Sequence, residues 1–82
     1  MTEEKLTFAQ LFLRRYDRAI GSGVCSFSQT GIGAMNFTNM CVNKDFVIAE
    51  DEIIIIACKV LKLPQEDIDL LLQLAAEGRD DE

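Results

Sequence analysis

The stretch EDEIIIIACKVLKLPQEDIDLLLQLA, residues 50–75, restricts the fold more than any other part of the chain. Its four consecutive isoleucines favour a strand by β-branched propensity. The longer window points the other way. Ile53, Ile56, Ala57, Val60 and Leu61 recur at helical spacing, with Lys59 and Lys62 together on the opposite face. Glu50, Asp51 and Glu52 stand where the positive end of a helix dipole favours acids, and the lysines stand near its negative end. Pro64 disfavours helical backbone at the residue before it. A helix is therefore predicted over residues 51–62. Pro64 then suits the first turn of a second helix, followed by Gln65, Glu66 and Asp67. Ile68, Leu71, Leu72 and Ala75 form its inner stripe, Gly78 is expected to close it, and residues 78–82 read as a frayed acidic tail.

The N-terminal third gives a comparable reading. Thr7 and Gln10 match a capping box. Phe8, Phe12, Leu13, Tyr16, Ala19 and Ile20 follow on one helical face, with Arg14, Asp17 and Arg18 on the other. A helix over residues 8–20, ended by Gly21-Ser22-Gly23, is predicted. Leu11 falls on the arginine side.

Between these ends runs a segment without a single Lys, Arg, Asp or Glu, residues 19–43, in a chain that is 27% charged. Ser26 and Gln29 repeat the capping signature, so a short helix starting there and stopping at Gly31 or Gly33 is expected. Asn36 is a candidate cap for a third short helix, with Phe37, Met40 and Cys41 facing inward. The pattern is all-α: a compact five-helix single domain, with residues 1–6 a flexible N-terminus and residues 7–77 the helical core.

An 82-residue chain buries about 60% of its unfolded surface, enough for one modest core. The net charge of -6 repels nucleic acid and anionic lipid at long range and suits a basic protein partner or simple solubility. Residues 1–5 are acidic and residues 6–13 are broken by polar side chains, which is not the pattern of a secretory leader. Cys25, Cys41 and Cys58 are odd in number and lack C-x-x-C spacing, so buried thiols in a reducing cytoplasm are expected. No run approaches the ~20 apolar residues that span a bilayer. Histidine, the commonest general base, is missing, and the glycines match no phosphate-binding loop. No enzyme activity, cofactor or metal is expected.

Five short helices with two brief ones in the middle resemble the lambda-repressor-like helix-turn-helix family, also called XRE or Cro-type. FLRRYDRA, residues 12–19, before a glycine is similar to the family's first helix. Residues 50–75 resemble its fourth and fifth in their acidic start, central Ala, Leu-x-Leu exit and Leu-rich end. The resemblance implies that residues 26–33 hold the second helix and residues 35–43 the DNA-recognition helix, which is the uncharged run. In such proteins the recognition helix lies in the major groove, and Lys and Arg at phosphates supply much of the affinity. Here Asn36, Thr38, Asn39 and Asn43 are candidate base readers and Gln29 a candidate phosphate contact. Arg14, Arg15 and Arg18 form the one basic cluster able to meet the DNA backbone. Each has a plain alternative role as a cap, a solvated polar position or a partner of nearby acids. The family's usual Gln at the start of the second helix and arginines in and after the third are missing.

Several apolar residues exceed what one core face requires: Leu11, Ile55 among the lysines, and Leu70 and Leu74 on the last helix. Together they point to a protein–protein surface, most simply a homodimer. The expected function is a small helix-turn-helix-like regulatory module acting through protein contacts in transcription control, with weak or lost DNA readout. The alternatives are a sequence-specific DNA-binding dimeric repressor and a small acidic inhibitor that mimics nucleic acid.

Overall fold

The computed structural model describes residues 6–80. Of the terminal segments expected to be flexible or frayed, residues 1–5 and 81–82 lie outside the described residues. Leu6 packs against the core. Five helices follow in order: α1 (Phe8–Gly21), α2 (Phe27–Thr30), α3 (Ala34–Val42), α4 (Asp51–Val60) and α5 (Gln65–Asp80). Among the described residues there is no strand. Helix α1 packs on α3 and α5, while α4 packs on α2 and α5.

Helix α1 begins as predicted. Gln10 N–H donates to Thr7 Oγ1 at 3.3 Å, and Thr7 N–H donates to Gln10 Oε1 at 3.1 Å. The Thr7 hydroxyl also donates to the Lys44 carbonyl, so the cap ties the segment after α3 to the start of α1. The helix closes with Gly23 N–H bonded to the Ile20 carbonyl and Val24 N–H to that of Ala19, the paired pattern that satisfies the last free carbonyls. Its buried face comprises Phe8, Ala9, Leu11, Phe12, Tyr16 and Ala19. This face is wider than the predicted stripe because α1 fills a groove between two helices. Leu11, expected on an outer surface, is 4% exposed and belongs to the core.

Helix α4 is helical despite its isoleucine run, but turned from the predicted orientation. Ile54, Ala57 and Cys58 are buried, as is Leu61 just beyond its end. Ile56, expected inside, is 55% exposed, and Ile55, expected outside, is half-buried. Four adjacent isoleucines put an apolar group on every face, and Cys58 with Leu61 settles which face turns inward. The helix ends in the same paired pattern as α1: Lys62 N–H bonds the Lys59 carbonyl and Leu63 N–H that of Cys58. Lys62 occupies the left-handed position usually taken by Gly, at φ 59°.

Helix α5 does not stop at Gly78; it continues to Asp80. A Cβ on Gly78 would stand 2.4 Å from Val47 Cγ2, so this glycine admits the α3–α4 connection rather than ending a helix. Next to it, Arg79 donates to the Ile48 carbonyl at 2.8 Å and pairs with Asp51 at 2.8 Å. Arg79 is thus no part of a frayed tail; it clamps the end of the connection against α5.

Candidate functional site

The uncharged run folds around aromatic rings. Tyr16 of α1, Phe27 of α2 and Phe37 of α3 meet with centroid separations of 5.1 to 6.3 Å in tilted and edge-on arrangements. Such pairs add about 0.5–1.5 kcal/mol each beyond their burial. Burial pushes the Tyr16 hydroxyl above its usual range, helped by Asp17, Cys25 and Cys41. Helix α2 is a single turn. Its Gln29 side chain reaches back to accept from Ser26 N–H at 2.8 Å. Its last residue, Thr30, is fully buried with its hydroxyl donating to the Phe27 carbonyl at 2.7 Å. Gly33 then takes φ 84°, ψ 150°, a conformation essentially confined to Gly. It serves as the N-cap of α3, so Ile32 is delivered into the core at 3% exposure.

Helix α3 is thereby fixed by its inner side, Met40 and Phe37. Its outer stripe is Met35, Thr38, Asn39 and Val42, at i, i+3, i+4 and i+7 spacing. Met35 is 78% exposed and Val42 77%, the largest exposures of any big apolar side chain described. No charged group lies on α2 or α3.

The sequence-derived candidates fall into separate groups. Thr38 is exposed and Asn39 half-buried on the outer stripe. Asn36 is not the cap of α3; it sits in the first turn and donates its Nδ2 to the Ile32 carbonyl at 2.8 Å. Asn43 accepts from Asp45 N–H at 3.0 Å and holds the turn after α3. Gln29 is engaged as a cap. Arg15 is no free cation: its Nε meets Asp67 at 3.2 Å, bracing α1 against α5, with both side chains less than one quarter exposed. Arg14 and Arg18 are exposed on α1. Cys41, expected inside, is exposed; Cys25 is half-buried and Cys58 buried.

Of the expected protein-facing residues, Leu70 is 42% exposed, whereas Ile55 and Leu74 are half-buried and Leu11 is buried. Sequence reasoning misses Met35 and Val42. Their seven-residue spacing is the available signal, since two apolar residues two turns apart share a face that Phe37 and Met40 do not occupy. Among the described residues no three His, Cys, Asp or Glu side chains gather as a metal would require, and no helix is long and apolar enough to cross a membrane. No protein-family model, curated protein or solved structure matches the chain.

Proposed function

We propose that the protein is a small helix-turn-helix-like regulatory module, resembling the lambda-repressor type, that acts in transcription control mainly through protein–protein contacts, with DNA readout weak or lost. The outer stripe of α3 carries this reading. A helix that enters the major groove gains affinity from cations at phosphates, with a salt dependence of nearly one counterion per contact. Here the outward residues are Met35, Thr38, Asn39 and Val42, and the exposed arginines Arg14 and Arg18 lie on another helix. A chain of net charge -6 adds repulsion from any polyanion. An exposed, uncharged helix face with a large apolar side chain at each end is instead what a protein partner covers.

A mobility-shift titration against the DNA upstream of the protein's own gene, at low and moderate salt, tests this. Weak binding that is indifferent to Asn39→Ala is the expected result. Tight, salt-sensitive binding abolished by Asn39→Ala would establish the second reading, a sequence-specific DNA-binding dimer. That reading is favoured by the polar pair Thr38 and Asn39 at the centre of the outer stripe.

A further inference from the structure

We infer that the outer face of α3 pairs with the same face of a second copy, antiparallel about a two-fold axis that passes between Thr38 and Asn39. This rests on the reading of α3 as a protein-facing surface and names its partner. The stripe is its own complement. Reversing it about the midpoint of residues 38 and 39 sets Met35 opposite Val42, an apolar pair, and Thr38 opposite Asn39, a hydroxyl opposite an amide. Each pair occurs twice, as a closed isologous contact requires. Met35 and Val42 are separated by about 10.5 Å along the helix, at 1.5 Å per residue. Both apolar ends therefore engage at once while the polar centre finds partners, which fixes register as a lone polar residue does in a helical interface. Antiparallel packing also sets the helix dipoles against each other favourably.

Charge selects the same occupant. A second copy also carries a net charge of -6 and is repelled by most of the surface. Residues 19–43 bear no charge, so two copies approaching through α3 bring no like charges into contact there. A basic partner would bury its cations against a face with no anion to receive them. An interface centred on one nine-residue helix is smaller than the ~800 Å² per partner of stable complexes, so the expected dissociation constant is on the order of 0.1 mM.

Charge-swapped variants test the register. Met35→Lys and Val42→Glu both alter exposed side chains, and circular dichroism checks that each retains its helices. Sedimentation equilibrium over about 10 μM to 1 mM, a range that brackets such an affinity, should show wild-type self-association. Each variant alone should associate at least ~10-fold more weakly. An equimolar mixture should recover to within ~3-fold of wild type, because the lysine introduced in one copy then faces the glutamate introduced in the other while the second pair stays apolar. Raising salt from about 50 to 300 mM should leave wild-type association unchanged or strengthen it, since screening removes repulsion between like-charged copies. A wild type that is monomeric throughout, association insensitive to both variants, or a mixture without recovery would each overturn the inference. A photo-crosslinker at position 35 distinguishes the deeper failure. An adduct with a different protein in the host cell overturns the second copy and leaves the protein-facing reading standing. Tight DNA binding lost in both variants overturns the two together.

Discussion

Replacing Gly78 by Ala should destabilise the protein, although the position lies inside a helix. At an unconstrained helical site the change gains about 1 kcal/mol, because Ala is the best helix former and Gly loses the most backbone freedom. Here the added Cβ would stand 2.4 Å from Val47 Cγ2 and 3.7 Å from Val47 Cβ. Carbon atoms in contact stand about 3.5–4.0 Å apart, so the methyl overlaps Val47 by roughly 1 Å. Val47 cannot swing clear freely, since its two γ-methyls leave few staggered positions. Moving the connection outward would stretch the neighbouring bond from Arg79 to the Ile48 carbonyl, 2.8 Å in the native fold. Overpacking of this size costs about 1–3 kcal/mol, and losing a hydrogen bond to a charged group about 1.5–3. After subtracting the helical gain, stability should fall by up to about 2 kcal/mol. With a urea slope near ~1 kcal/mol/M, the midpoint followed by far-ultraviolet circular dichroism should drop by up to about 2 M. The sign should reverse in a Val47→Ala background, where the obstructing Cγ2 is gone and Gly78→Ala should stabilise by about 0.5–1 kcal/mol. A raised midpoint in the otherwise native chain, or the same shift in both backgrounds, would refute the close approach as the reason for this glycine.

Lys62 at φ 59° should be improved by Gly: relief of about 1–2 kcal/mol of left-handed strain exceeds the ~0.4–1 kcal/mol of added unfolded-chain entropy, so the thermal midpoint should rise by a few degrees. Gly33→Ala should lower stability by about 2–3 kcal/mol in the same urea assay, even though nothing within 4 Å obstructs its Cβ, because the backbone at φ 84°, ψ 150° suits only Gly. Burial, with Asp67 nearby, pushes the Cys58 thiol from 9.0 up to about 11. The unfolded chain therefore releases this proton first. Stability from this group should hold below about pH 9 and fall by up to about 3 kcal/mol as pH rises towards 11, a decline that Cys58→Ala should flatten. With a thiol reagent at pH ~8, exposed Cys41 should react first and Cys58 only once urea unfolds the chain.

The features read correctly from sequence are those that local chemistry decides. The capping box of α1 needs only Thr7 and Gln10 three residues apart, and the break after α4 follows from Pro64. The all-helical composition follows from periodicity over the windows at each end. What sequence could not supply was set by distant partners. The rotation of α4 is ambiguous in a run of four isoleucines until α2 and α5 cover one side. Gly78 looks like a helix stop unless Val47, thirty-one positions earlier, is known to pass beneath it. Arg79 looks like tail until Ile48 and Asp51 are placed beside it. Asn36 looks like a cap because Asn favours caps, yet Gly33 takes that place and Asn36 turns back to Ile32. Among the site residues, Thr38 and Asn39 were legible as outward polar positions. Met35 and Val42 were not, because an apolar residue in a small domain is usually buried and only the inward placement of Phe37 and Met40 turns the other face out.

The uncharged run can therefore do two things that a charged helix could not. Its inner side supplies Phe27 and Phe37, which close on Tyr16 and hold α1, α2 and α3 together without an ion pair. Its outer side carries no charge to dehydrate: covering Thr38 and Asn39 costs only about 1–3 kcal/mol per unpaired polar group, whereas an unpaired charge costs far more. The turn at Gly33 and the buried Ile32 fix α3 before anything binds, so little ordering entropy is lost on contact. Rigidity, low dehydration cost and freedom from like-charge repulsion coincide on one helix. Placing a single cation at Met35 or Val42 removes the second property without touching the first. Loss of association in a variant that keeps its helices would then locate the binding energy on the neutral face itself rather than in the stability of the fold.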